Sequence, residues 1–175
     1  TSKPYCSVSL ITKAGELIHT TDVDIPKPVM MHDCAITSKH TVIMDLPCVF
    51  DFGRMAEGKS MLYFEEENGS RFGVLARGAE GDEVRWFDVD SCYCYHTVNA
   101  FEDGDEIVVE GCRSERNSIG DEVKPQAGDR SDLPMLHQWR LNLKTGEVQE
   151  KSLDKKWGCE FARINEDYMG IRNQF

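Results

Sequence analysis

Short runs of alternating apolar and polar residues, joined by turn-forming residues, cover most of this chain. Residues 5–12 and 17–25 flank an Ala-Gly-Glu turn, and Val8, Leu10 and Thr12 follow one another at a period of two. That period places alternate side chains on opposite faces of a strand, and almost no stretch has the period of a helix. The pattern predicts an all-β chain.

Further strand signals follow at short intervals, separated by Gly, Asn, Lys and Ser. We predict strands over residues 34–37, 41–46, 60–64, 71–76, 84–89, 92–101, 106–112, 136–143 and 147–152. Three hairpins are predicted among them, pairing 34–37 with 41–46, 60–64 with 71–76, and 136–143 with 147–152. The polar residues 114–133 are predicted to form a long surface loop.

Many short strands without crossover helices limit the architecture to a sandwich, a barrel or a propeller. A propeller fits best, because residues 139–147 have the strand–turn–strand form that is common in propeller blades. No Trp-Asp or kelch repeat is evident, so the pattern alone leaves the other two open.

Composition and charge narrow the class of protein. A chain of 175 residues with 40% hydrophobic content can bury a sizeable core, and its net charge of −11 argues against a nucleic-acid partner. No run of 18 apolar residues is present. The seven cysteines form an odd set in mostly apolar stretches, which predicts reduced thiols rather than disulfides.

The two ends indicate a piece of a larger protein. The sequence starts at Thr1 without a methionine, enters a strand signal almost at once, and stops at Phe175 without a closing helix. We therefore expect a fragment, in which the lack of a targeting segment carries little weight.

Two histidines are the main candidates for chemistry. His32 and His96 lie at strand signals, and neither has a serine or cysteine arrangement of the protease type nearby. Imidazole is a common ligand for iron, zinc and copper, so the pair suggests half of a metal site. Asp33 could complete a site of two histidines and one carboxylate. In an extended segment, however, Asp33 and His32 point to opposite faces, which disfavours that arrangement.

A zinc site is a rival interpretation, because Cys92, Cys94 and His96 alternate along one strand face. Same-face neighbours lie about 6.5–7 Å apart, too far for easy shared binding, so buried core thiols are the preferred interpretation. The other histidines, His19, His40 and His137, are expected to have ordinary surface or core roles.

Several motifs resemble one known family. The run His32-Asp33-Cys34-Ala35-Ile36-Thr37, followed by Asp45-Leu46-Pro47, resembles the His-Asp-Phe-Ala-Ile-Thr strand and Asp-Leu-Pro ending of the carotenoid cleavage oxygenases, with the plant type nearest. Further matches in the same order are Arg71 to Leu75, Arg85 to Phe87, His96 to Glu102 with Gly104 to Glu106, and Glu160 to Asn165.

The resemblance implies a fold and a metal centre. The fold would be a seven-bladed β-propeller that forms a single domain. Residues 1–175 would be the central part of that domain and would contribute three to four of its blades. A ferrous ion would be held by four histidines, with three glutamates bonded to their outer nitrogens. His32 and His96 match the second and third ligand positions, and Glu160 matches one of the glutamates. The other two histidines would lie outside this chain.

The resemblance also implies an activity for the intact protein. A non-haem Fe(II) dioxygenase would use O₂ to cleave a conjugated double bond of a carotenoid or apocarotenoid into two carbonyl products. Phe101 is a candidate for lining the substrate. Plastid residence is implied by the plant members, with the cytoplasm as the other compartment. Peripheral membrane contact would come from parts outside this chain.

Two departures from the family pattern bear on the substrate. Cys34 stands where an aromatic residue is usual, which could widen the space beside His32. Ala162 replaces a proline, which frees a backbone N–H near Glu160. An alternative function remains open at this point, because the chain alone could be an inactive partial propeller whose exposed strand edges bind a partner, or nothing.

Overall fold

The computed structural model of the chain describes residues 2–120 and 126–173. Strands dominate this part, and the helical segments in it are short 3-10 turns. The twelve strands are β1 Cys6–Ile11, β2 Leu17–Val23, β3 Ala35–Ile36, β4 His40–Asp45, β5 Cys48–Phe50, β6 Leu62–Phe64, β7 Ser70–Ala76, β8 Arg85–Val89, β9 Tyr93–Asp103, β10 Glu106–Ser114, β11 Met135–Asn142 and β12 Val148–Ser152.

Two four-stranded antiparallel sheets form the body of the described structure. One has the order β3-β4-β7-β8 and the other the order β12-β11-β10-β9. In each sheet, strands that are neighbours in space also follow one another in the chain. The one exception in these two sheets is the step from β4 to β7, where the two-stranded sheet β5-β6 intervenes in sequence. Such four-stranded meanders are the blades of a propeller. With the two-stranded sheet β1-β2, the chain is all-β and forms part of a β-propeller, as expected.

A single hydrophobic cluster joins the two blades. Phe72 of β7 and Trp139 of β11 are both fully buried, and their ring centroids lie 5.0 Å apart in an edge-to-face arrangement. The hydroxyl of Ser70 accepts a hydrogen bond from the backbone N–H of Cys92, at 3.0 Å, where the chain passes from the first blade to the second. Side chains at alternate positions of β11 are buried, as a strand between two neighbours requires.

Most predicted strands are confirmed within one or two residues at each end. The predicted pairing of residues 60–64 with 71–76 is wrong. Residues 62–64 pair instead with β5, which the sequence analysis missed, and β7 pairs with β4 and β8. β5 has only three residues and directly follows Leu46-Pro47, so it gives almost no periodic signal. The other two predicted hairpins are confirmed.

Candidate metal centre

The segment that carries His32 is irregular, and it is fastened to β9 on both sides of the histidine. Before it, the carbonyl oxygen of Met30 accepts a hydrogen bond of 2.7 Å from the Tyr93 hydroxyl. After it, Asp33 Oδ2 accepts two bonds of 2.8 Å, from the backbone N–H and the hydroxyl of Thr97. These contacts hold His32 beside the part of β9 that carries His96.

The two histidine rings consequently lie next to each other. The ring centroids of His32 and His96 are 5.1 Å apart, and their planes are nearly perpendicular, at 87°. Tyr95 packs edge-on against His32 with a centroid distance of 5.5 Å. His32 is exposed, and 28% of the His96 side chain is accessible. Two imidazoles therefore meet at the surface of the described structure, where further ligands can approach.

Glu160 fixes the orientation of His96. Its Oε2 atom lies 2.8 Å from Nδ1 of His96, although 64 residues separate the two in sequence. A carboxylate only accepts hydrogen bonds, so Nδ1 donates in this contact, and in the neutral ring the lone pair is then on Nε2. The same carboxylate oxygen accepts the backbone N–H of Phe161 at 3.2 Å. This is the arrangement by which proteins orient a metal-binding imidazole.

Phe161 is a site residue that the sequence analysis missed. Its ring centroid lies 4.3 Å from that of His96, and its backbone has a φ of 55°, which is rare for a bulky residue. Strained backbone of this kind is concentrated at functional sites. The sequence gives no signal for this conformation, although Phe161 lies within the motif around Glu160.

A shallow cavity of about 310 Å³ opens beside His96. Its lining combines five apolar residues with five polar or charged ones: Val98, Phe161, Ala162, Ile164 and Met169, and Asp33, His96, Thr97, Arg163 and Glu166. The apolar part of this surface suits an apolar ligand beside His96.

Phe101 also lies on β9, five residues beyond His96 in sequence, and it is 8% exposed. It does not line this cavity. Its role beside the substrate stays a prediction.

Both carboxylate oxygens of Asp33 accept hydrogen bonds from the chain itself. Its Oδ1 atom accepts the backbone N–H of Cys34 at 2.8 Å, and Oδ2 is engaged by Thr97. That Asp33 is not a ligand in a site of two histidines and one carboxylate stays a prediction.

The thiols of the rival zinc interpretation lie in the core. Cys92 and Cys94 are 0% and 1% exposed. Burial raises the pKa of the Cys92 thiol to about 12 and that of Cys94 well above its usual value, which disfavours the thiolates that zinc requires. The Cys94 thiol points to the backbone oxygen of His96, 3.4 Å away.

The remaining histidines have protein partners. Nε2 of His19 lies 3.2 Å from the backbone oxygen of Ala79. His137 is buried on β11 with Nε2 3.4 Å from a carboxylate oxygen of Glu150. Nδ1 of His40 lies 3.1 Å from Oε1 of Glu102. Each of the three rings therefore has a protein partner, and their ordinary roles stay a prediction.

Glu102, near the end of β9, is a hydrogen-bond acceptor for the turn between β3 and β4. It accepts hydrogen bonds from the side chains of Ser38, Thr37 and His40 and from the backbone N–H of Lys39. Burial by itself raises the pKa of Glu102, but these bonds outweigh it and lower the pKa to about 2. Glu102 therefore ties the β3–β4 turn to the far end of β9.

The donor chemistry around His32 and His96 fits iron as a partial set. Neutral imidazoles suit Fe, Zn and Cu, and the outer nitrogen of His96 is already held by a carboxylate. Among residues 2–120 and 126–173, no group of three or more His, Cys, Asp or Glu side chains could hold a metal ion. A centre built on these two imidazoles would need further ligands from outside the described residues.

Known proteins resemble this chain along almost its whole length. The family profile described as retinal pigment epithelial membrane protein (RPE65) matches residues 1–175. A carotenoid 9,10(9',10')-cleavage dioxygenase 1 from Pisum sativum is 37% identical over 98% of this chain, and its counterpart from Crocus sativus is 36% identical over 98%. The chloroplastic 9-cis-epoxycarotenoid dioxygenase NCED6 from Arabidopsis thaliana is 31% identical over 99%.

Solved structures agree on the fold. The lignostilbene dioxygenase of Pseudomonas brassicacearum superposes with a TM-score of 0.82 and 25% identity over 95% of this chain and 36% of its own. The cobalt-substituted Synechocystis ACO gives 0.79 and 16% identity over 95% and 36%. The chain spans about a third of the length of the curated relatives, 32% for the two cleavage dioxygenases and 30% for NCED6. The chain belongs to the RPE65 and carotenoid cleavage oxygenase family.

Proposed function

We propose that the protein is a non-haem Fe(II) dioxygenase that cleaves a conjugated double bond of a carotenoid or apocarotenoid. The observation that carries the proposal is the pair of imidazoles of His32 and His96, 5.1 Å apart, with Glu160 holding the outer nitrogen of His96. Relatives at 34–37% identity that are named carotenoid cleavage dioxygenases support the choice of reaction. Residues 1–175 would be the central part of one propeller domain.

His32 and His96 would hold the iron, with two further histidines from parts of the protein outside these 175 residues. When bound, the iron supplies the redox chemistry that lets O₂ react with the polyene. Glu160 keeps the proton on Nδ1 of His96, so Nε2 stays available as a neutral ligand. Asp33 holds the backbone of His32 through Thr97. The proposed reaction requires no residue of the chain as a general base.

The cavity beside His96 is proposed to receive part of the polyene. Val98, Phe161 and Met169 give it the apolar surface that a polyene needs. Cys34, where the family usually has an aromatic residue, is exposed and lines a separate cavity of about 490 Å³ with Met31 and Ile36. The position of the cleaved bond depends on how deep the polyene sits. Residence in the plastid is proposed from the chloroplastic relative.

The test uses the protein expressed from the complete reading frame that contains these residues, called the full-length protein below. Purified in Fe(II), it should bind one iron, and isotope-labelled O₂ should place label in both carbonyl products of a carotenoid. The variants His32→Ala and His96→Ala should each lose iron and activity. His19→Ala is the matched control, because His19 contacts only protein in the described structure.

Retained iron and full turnover in the His32 and His96 variants would overturn the ligand assignment. A correctly folded full-length protein that neither binds iron nor cleaves any carotenoid would instead support the alternative function, a partial propeller that only binds a partner.

A further inference from the structure

Two thiols lie in contact directly behind the candidate metal centre. The sulfur atoms of Cys112, on β10, and Cys159, in the segment after β12, are 4.0 Å apart. Both cysteines are free in this structure. Cys112 is 1% exposed, whereas Cys159 is partly accessible. The pair therefore has one thiol that reagents can reach and one that is protected behind it.

The segment that carries Cys159 reaches the histidines through a short path. Gly158 forms a β-bridge with Met135, and the backbone N–H of Cys159 donates to the carbonyl oxygen of Pro134 at 2.9 Å. The next residue is Glu160, whose carboxylate bonds His96. A displacement of Cys159 is thus transmitted over one peptide unit to the group that orients His96.

Ala162 gives this segment a second link to Cys112. Its backbone N–H faces the Cys112 sulfur and lowers the pKa of that thiol, although burial dominates and raises the pKa to about 11. The proline usual at this position in the family would lack that N–H. Cys112 therefore contacts the segment around Glu160 at two points, Cys159 and Ala162.

We propose that Cys112 and Cys159 form a redox-sensitive modification site, which closes into a reversible disulfide and shifts Glu160 relative to His96. A disulfide requires a sulfur–sulfur distance of about 2.05 Å, so closure moves the two sulfurs about 2 Å nearer to each other. Cys112 is fixed in the middle of a four-stranded sheet, whereas Cys159 lies outside the regular strands. Most of the movement consequently falls on Cys159 and its neighbour Glu160.

Hydrogen peroxide is the oxidant that we assign to the reaction. The accessible Cys159 thiol takes one oxygen atom to become a sulfenic acid, and one water leaves. The Cys112 sulfur then attacks the Cys159 sulfur and the sulfenic oxygen departs as a second water. In sum, two thiols and one peroxide give one disulfide and two waters. A dithiol such as dithiothreitol reverses the reaction by thiol–disulfide exchange.

The first measurement concerns the bond and is independent of iron. The reduced full-length protein is treated with hydrogen peroxide, free thiols are alkylated, and peptides are mapped by mass spectrometry. We expect one linked peptide pair, Cys112 with Cys159, about 2 Da lighter than the two thiol peptides together. The link should disappear in Cys159→Ser and in Cys112→Ser, and it should persist in Cys6→Ser, the control.

Cys159→Ser keeps the test decisive if the buried Cys112 does not tolerate serine. Recovery of Cys112 and Cys159 in separately alkylated or separately oxidised peptides would overturn the proposal, and so would a link from Cys112 to Cys94 instead.

The second measurement concerns Glu160 and rests on the proposed function. The oxidised protein should bind Fe(II) about tenfold more weakly in competition with a chelator, the scale on which lost outer support of a ligand acts. Dithiothreitol should restore the affinity, and Cys159→Ser should show no response to peroxide. If the disulfide forms and the iron affinity is unchanged, the proposed shift of Glu160 is wrong. A protein that forms the disulfide but never binds iron would refute the proposed function and leave the modification site standing.

Discussion

Asp33 supports the candidate metal centre through its hydrogen bonds to the chain. Its carboxylate receives the two hydrogen bonds from Thr97 and one from the Cys34 backbone, and these contacts hold the irregular segment of His32 against β9. Hydrogen bonds to an ionised acceptor are about twice as strong as neutral ones. The charge of Asp33 therefore matters for the position of His32.

Asp33→Asn should weaken Fe(II) binding by the full-length protein about tenfold while leaving the fold intact. The amide can accept with one oxygen only, so it cannot satisfy Thr97 and Cys34 together. Chelator competition measures the affinity, and circular dichroism checks the fold. Asp82→Asn is the control, because Asp82 is an exposed residue of a surface 3-10 turn. Unchanged iron affinity in Asp33→Asn would show that the Thr97 contact does not position His32.

At the scale of single residues, the sequence predicts which residues belong to the candidate site better than it predicts the contacts between them. The motifs around His32, His96 and Glu160 single out these three, and the structure brings them together. The bond from Asp33 to Thr97 spans 64 residues, so no local pattern contains it. The left-handed backbone of Phe161 is equally invisible, since a phenylalanine ordinarily indicates an extended or helical conformation.

Among the elements, the turn between β3 and β4 depends on one partly buried acceptor. Glu102 collects hydrogen bonds from Thr37, Ser38, Lys39 and His40, and its pKa falls to about 2. Because the folded pKa is lowered from 4.5, the charged form stabilises the folded state at pH values above about 4.5. This contribution is lost as the pH falls toward 2.

Glu102→Gln should lower the free energy of unfolding by about 1–2 kcal/mol at pH 7, after allowance for screening by solvent. The difference from the unsubstituted protein should shrink at pH 3, where Glu102 has lost part of its advantage. Urea unfolding of the full-length protein at the two pH values measures both effects. Glu67→Gln, at an exposed carboxylate of a surface turn, serves as the control. An equal loss at both pH values would show that the charge of Glu102 is not the cause.

The second blade was predictable as a set of strands, and the first only in part. Strands β9 to β11 have eight to eleven residues, and the turns β9–β10 and β11–β12 are short, so period and turn residues define them. In the first blade, β5 and β6 have three residues each and interrupt the sequence between β4 and β7. The predicted hairpin of 60–64 with 71–76 failed because β5, which gives almost no periodic signal, is the neighbouring strand with which residues 62–64 pair.

On the scale of the whole molecule, the two described blades share one core. The buried cluster runs from Val42 and Phe72 in the first blade to Ile107, Trp139 and Leu141 in the second. Sequence patterns show which positions are buried but not which blade they face, because every blade presents the same alternation. The shared cluster implies that neither blade is stable alone, since each would expose one side of it.

Phe72→Ala should therefore destabilise both blades together. Removal of a fully buried phenylalanine ring costs about 3–5 kcal/mol, and here it also takes away the edge-to-face partner of Trp139. Hydrogen exchange of the full-length protein, followed by mass spectrometry, should show faster uptake in peptides from β4 and β7 and, to a similar degree, from β10 and β11. The increase in the second blade is the decisive observation, because Phe72 belongs to the first.

Phe52→Ala provides the matched control, since the Phe52 side chain is half exposed and lies in a 3-10 turn outside both sheets. It should change exchange only near its own turn. Faster exchange confined to the first blade in Phe72→Ala would mean that the blades open independently. The His32 segment leads into β3 of the first blade, whereas β9 of the second blade carries His96. In that case the hydrogen bonds that join Met30 and Asp33 to β9, together with a metal held by both histidines, would be the links that keep the two rings side by side.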